Sequence, residues 1–94
     1  MELTQDLYYK AFKNTKTYYE VSDEDPDYWE EFFVLNDNAT KADADAYTEA
    51  YVAIFGQGDD KLGLKILKEK IKEVKAGIDN GKWIDEEAYN KKFD

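Results

Sequence analysis

The chain has no cysteine, no histidine and no arginine, and only one serine (Ser22), one proline (Pro26) and one methionine. Each gap removes a chemistry. Without cysteine there is no disulfide framework and no thiolate nucleophile. Without cysteine and histidine there is no ordinary zinc site. Without histidine the usual general base near neutral pH is missing, and with it the Ser-His and Cys-His nucleophile pairs. Without arginine there is no bidentate phosphate fork and no arginine finger. No GxxxxGK[ST] loop occurs, and Gly56-Gln57-Gly58 lacks the third glycine of a dinucleotide fingerprint. In a chain of 94 residues a deep cleft competes with the core for space. These gaps predict a non-enzymatic protein with no cofactor and no metal site.

No apolar run approaches the ~20 residues of a membrane span. Met1-Glu2-Leu3-Thr4-Gln5-Asp6 has neither the basic nor the apolar region of a signal peptide. The expectation is a cytoplasmic protein, in a host cytoplasm if a phage encodes it, that does not engage membranes.

Hydrophobic residues make up 43% and aromatics 16%, enough for one packed core. Residues 1–94 therefore read as a single acidic domain, expected to be a monomer rather than a homodimer. Thr4 is a candidate N-cap for a helix ending near Asn14, with Leu3, Leu7, Tyr8, Ala11 and Phe12 at helical spacing. Lys16 to Val21 is rich in strand formers and reads as an extended tail. Asp25-Pro26 is a helix-start signal, and Tyr28, Trp29, Phe32, Phe33 and Leu35 suit a helical stripe. The alternative is a hairpin of Thr17–Val21 with Glu30–Leu35, against which Glu30 and Glu31 fall on opposite strand faces.

Thr40 with Asp43 approximates a capping box for a helix that buries Ala42, Ala46, Tyr47, Ala50, Tyr51 and Ile54 and stops at Gly56. Leu64, Leu67, Ile71, Val74 and Ile78 form the seam of the next helix, and Lys65, Lys68, Glu69, Lys70, Lys72, Glu73 and Lys75 cover the rest. Lys65–Glu69 and Glu69–Lys72 are expected ion pairs. Asp79-Asn80-Gly81 reads as a turn and Asp85 as the cap of a last helix, giving a C-terminal helical hairpin over residues 60–94. Gly77 to Lys92 resembles the short helical hairpin that closes many bacterial and phage proteins, which implies local geometry only. The fold class is mainly α, a compact bundle of four to five helices, with a β-hairpin in residues 16–35, and so a small α+β fold, as the alternative.

Charge is the strongest functional signal. Residues 1–60 hold 15 acids against 4 lysines, a net of −11, whereas residues 61–94 hold 9 lysines against 7 acids, a net of +2. The acids gather at Asp23, Glu24, Asp25, Asp27, Glu30 and Glu31, at Asp43, Asp45 and Glu49, and at Asp59 and Asp60, with Tyr28 and Trp29 as aromatic anchors beside them. Asp45 and Glu49 are like charges at i, i+4 with no basic neighbour expected on that face. A whole-chain charge of −9 repels nucleic acid, and the lysine-rich stretch is diluted by glutamates, so direct nucleic-acid binding is not expected.

Asp23, Asp25 and Asp27 mimic the opening of a calcium loop, but Tyr28 replaces its turn glycine and Val34 its bidentate glutamate. In composition the chain resembles the small acidic proteins that phages direct against restriction and CRISPR nucleases. That resemblance implies a DNA-mimic inhibitor whose partner is a basic, nucleic-acid-binding protein. The alternative expectation is a structural or assembly adaptor of a phage or bacterium, working through an aromatic interface, since tyrosine and tryptophan favour protein contacts.

Overall fold

The computed structural model describes residues 4–21 and 30–93. Among these, four helices and a three-stranded antiparallel sheet follow in the order α1 (Gln5–Phe12), β1 (Thr15–Glu20), β2 (Glu31–Leu35), α2 (Lys41–Gly56), α3 (Asp60–Asn80), β3 (Trp83–Asp85) and α4 (Glu86–Phe93). The strand order is β2-β1-β3.

The helix starts follow local chemistry. Thr4 Oγ1 accepts from the Leu7 N–H at the head of α1. Thr40 and Asp43 form a reciprocal capping box on α2. Asp59 Oδ1 accepts from the Lys61 and Leu62 N–H groups on α3, and Asp85 Oδ1 from Ala88 N–H on α4. The expected helix over residues 26–35 is not what forms at its C-terminal end. Residues 31–35 are a strand, and Tyr28 and Trp29 lie outside the described residues. The strand forms because β1 supplies a register-matched partner, Thr15 opposite Leu35 through Tyr19 opposite Glu31. Nor is the chain after residue 60 a plain helical hairpin. Gly81, at φ 81°, ends α3, and Trp83–Asp85 joins the sheet beside β1 before α4 begins.

Side chains directly opposite one another share a face of the sheet. Tyr18, Glu20, Phe32 and Trp83 therefore face one side and Tyr19, Glu31, Phe33 and Ile84 the other. The core is Phe32, Tyr47, Tyr51, Leu67, Val74 and Trp83, with Phe32 stacked on Tyr51 at 4.9 Å. On the opposite face Tyr19 stacks on Tyr89 of α4 at 3.9 Å.

The bonds from Glu20 N–H to the Glu30 carbonyl and from Asn36 N–H to the Asn14 carbonyl set the ladder phase. In that phase the backbone groups of Phe33 point away from β1. Both are taken up by α2: the Phe33 N–H donates to Tyr51 Oη at 3.0 Å, and Tyr47 Oη donates to the Phe33 carbonyl at 2.7 Å.

The seam of α3 is shifted from the expected one. Its inner face is Gly63, Leu67, Lys70, Val74 and Gly77, while Leu64 and Ile78 are 37% and 38% exposed. A Cβ on Gly63 would lie 2.5 Å from the Val52 carbonyl oxygen, and one on Gly77 would strike the Trp83 ring. The glycines let α3 approach α2 at one end and the sheet at the other. On α2, Ala42 and Ile54 are exposed, and Asp43 is buried in their stead.

Candidate acidic binding site

The sequence places negative charge on both sides of the β1–β2 connection, and the fold fixes its two ends. Glu20 and Glu30 lie across from each other on the face that meets α3. Lys70 reaches from the inner face of α3 to Glu30, with Nζ 2.6 Å from Oε1. It also reaches Glu73 at 3.7 Å and stands 5.0 Å above the Trp83 ring. Burial and a hydrogen bond with Glu30 hold the Glu20 carboxyl above its ordinary value, despite the lowering pull of Lys70 and Lys82. On the other face, burial and the charges of Glu31 and Glu86 push the Tyr19 hydroxyl up. Both faces of this end of the sheet thus carry carboxylates, and on the α3 face Lys70 counters Glu30. Asp23, Glu24, Asp25, Asp27, Tyr28 and Trp29, expected as the main patch, lie outside the described residues in the segment between Val21 and Glu30.

The second expected patch divides. Asp43 is 8% exposed and faces inward. Its Oδ2 accepts from Thr40 N–H at 3.2 Å and from Asn14 Nδ2 at 3.3 Å, and Lys13 Nζ lies 3.5 Å from Oδ1. These donors, the Thr40 amide first, hold its carboxyl below the ordinary range. Its role in the fold is to tie α2 to the α1–β1 turn.

Asp45 does have a basic neighbour, contrary to expectation. Lys41, one turn earlier, lies 2.9 Å away, because i, i−4 side chains overlie each other on a helix. Glu49 and Asp60 both line a cleft of about 260 Å³ between α2 and α3, together with Thr48, Val52, Ala53 and Leu64. Asp59 sits beside Asp60 as the α3 cap.

Compared with family models, curated proteins and solved structures, the chain matches none of them. The site therefore rests on its own geometry. Three contributors were not singled out in the sequence: Glu20, Glu86 and the counter-charge Lys70. Glu20 lies within the strand-forming run Lys16 to Val21 that the sequence marks. Lys70 was hidden among six other charged residues, because only the helical phase separates it from them. Among the described residues no cluster of three or more metal-ligating side chains occurs, and no helix is long and apolar enough to cross a membrane.

Proposed function

We propose that this chain is a non-enzymatic acidic binding protein that inhibits a partner by occupying its basic, nucleic-acid-binding groove. The observation that supports this reading is the placement of carboxylates on both faces of one end of the sheet, Glu20 across from Glu30 on one and Glu31 across from Tyr19 on the other, with Lys70 countering Glu30. Self-repelling carboxylates at one place cost folding free energy, and a cationic partner relieves that cost on binding. The segment between Val21 and Glu30 adds four acids by sequence. The binding residues are Asp23, Glu24, Asp25, Asp27, Glu30 and Glu31, with Tyr28 and Trp29 as anchors. Asp45, Glu49, Asp59 and Asp60 form a second contact, and Asp43 keeps its capping role.

Capture on the immobilised chain tests this. The captured partner is expected to bind duplex DNA, to be displaced by it, and to be released between about 0.1 and 0.5 M salt. Charge reversal at Glu31, Asp45 and Glu49, all outside the core, is expected to abolish capture without altering the circular dichroism spectrum. Capture that survives both salt and charge reversal overturns the proposal.

A second reading, an assembly adaptor, is favoured by one observation. Tyr9 is 71% and Tyr8 46% exposed on α1, beside Phe12 and Lys13 at an apolar hollow. An adaptor interface there loses binding on Tyr9→Ser and is insensitive to salt.

A further inference from the structure

A different surface carries a separate inference. Lys61, Lys65, Lys68, Lys72 and Lys75 recur along α3 at spacings of four, three, four and three. At about 100° per residue they stay within about 40° of a single line along the helix. That line is opposite the inner face of Gly63, Leu67, Lys70, Val74 and Gly77. All five are exposed, and among the described residues none has a carboxylate partner.

The two exposed glutamates of this stretch stand to one side of the line, Glu69 next to Lys65 and Lys72, and Glu73 further round. Glu73 pairs with Lys70 at 3.7 Å. Glu69 stands about 80° off the line by the same helical arithmetic, and the expected Lys65–Glu69 and Glu69–Lys72 pairs are not formed. The outcome is a ladder of ammonium groups without ion-pair partners among the described residues, about 21 Å long from 1.5 Å rise per residue, with Glu69 at its border and Asp79 beyond Lys75 on the same line.

We propose that this outer face of α3 is a docking strip for the phosphate backbone of a nucleic acid. The composition of the strip separates this from a protein-binding face. Protein interfaces are enriched in aromatics and arginine and depleted in lysine, and the strip holds only lysine. A linear array of point charges with no aromatic or guanidinium reader suits a linear polyanion contacted without sequence preference.

The net charge of −9 does not decide the matter, because charge is segregated. Glu20 and Glu30 lie across the full thickness of α3 from the strip. That thickness is about 10–12 Å for a helix with side chains, more than the ~8 Å Debye length at physiological salt. The inference goes beyond the acidic-end reading and does not depend on it.

Fluorescence anisotropy of the full chain with a labelled DNA duplex of about 20 base pairs tests the proposal. Five phosphate contacts give a slope of about −4.5 in log affinity against log salt, so affinity is expected to fall about 500-fold between about 50 and 200 mM salt. Lys65→Gln, Lys68→Gln and Lys72→Gln together are expected to reduce the slope by about 2.7 units and to abolish binding at the higher salt. Lys10→Gln, Lys41→Gln and Lys91→Gln, which change net charge equally but lie on α1, α2 and α4, are expected to leave it unchanged. Thermal melts of both triple variants establish that they fold. Absence of duplex binding at low salt overturns the proposal, as does equal weakening by both triples. Binding of poly-glutamate as tight as that of DNA, with the same dependence on the three lysines, also overturns it and assigns the strip to an acidic protein.

Discussion

At the scale of single residues, the fold depends most on positions where a side chain is small or held in an unusual conformation. Gly63 faces the Val52 carbonyl, and Gly56 sits against Gly63 from the other helix. Because Gly56 is the last residue of α2 and is buried there, the left-handed position that ends the helix falls on Gln57, at φ 46°. A non-glycine residue in that region costs about 1 kcal/mol or more. Gln57→Gly is therefore expected to raise the unfolding free energy by about 1 kcal/mol. Gly63→Ala, which drives a Cβ into backbone, is expected to lower it by about 3 kcal/mol. Urea titration followed by circular dichroism measures both.

The same residues show what the sequence left hidden. A glycine inside a helical pattern reads as a weak spot, so the pattern alone puts the seam through Leu64 and Ile78. Only the α2–α3 and α3–β3 approaches reveal that Gly63 and Gly77 are contacts. Thr4, Thr40 and Asp85, whose chemistry is local, were legible, because a cap is decided within four residues.

At the scale of elements, β2 is the case where local signals and tertiary context diverge. Phe32, Phe33 and Leu35 fit a helical stripe as well as a strand, and Glu30 and Glu31 appeared to spoil the alternation. They do not spoil it, because each strand face has its own neighbours. Glu30 meets Lys70 of α3, while Glu31 faces solvent beside Tyr19. That answer lies 40 residues away in the chain and no window of local pattern contains it.

Lys70 is correspondingly central. Lys70→Met is expected to cost about 1–2 kcal/mol, less than a fully buried pair because the Glu30 side chain is 44% exposed. The loss has a pH signature. The Glu20 carboxyl is already raised above 4.5 in the folded chain. Its favourable contribution is present below that value and is lost as pH rises through the folded one. Without Lys70 the folded value rises further, so the variant is expected to regain stability on mild acidification. Asp43, held below 3.8 by the Thr40 amide, behaves oppositely. Its contribution is present above 3.8 and is lost as pH falls. Asp43→Asn is therefore expected to destabilise the chain near neutrality, with the difference from the parent vanishing in strong acid. Thermal melts across pH check both signs.

At the scale of the whole molecule, charge is sorted by α3 more than by position in the sequence. Its inner face answers the carboxylates of the sheet and its outer face presents lysine to solvent. The overall imbalance between residues 1–60 and 61–94 was visible in the sequence. Its direction in space was not, since that depends on the rotation of one helix by less than one residue. The expected acidic wall is correspondingly uneven. One end of the sheet carries carboxylates on both faces, with Glu30 engaged by Lys70; Glu49 and Asp60 line one cleft; and Asp43 and Asp45 are engaged by lysines of their own neighbourhood.

The hold of Tyr47 and Tyr51 on Phe33 has a consequence for what copies of this chain do to one another. The outer side of β2 is otherwise a row of open amides on a strand of sequence EFFVL, apolar and aromatic after its first residue. Such a segment recruits identical strands and grows into cross-β fibrils when nothing occupies its amides. Two phenolic hydroxyls stand in for the missing neighbour at its middle residue. Replacing both with phenylalanine is expected to leave the monomer weakened but folded, and to convert it into a seed. Thioflavin fluorescence that rises after a lag, and without a lag when preformed material is added, would record the change, with the parent protein staying dark under the same conditions.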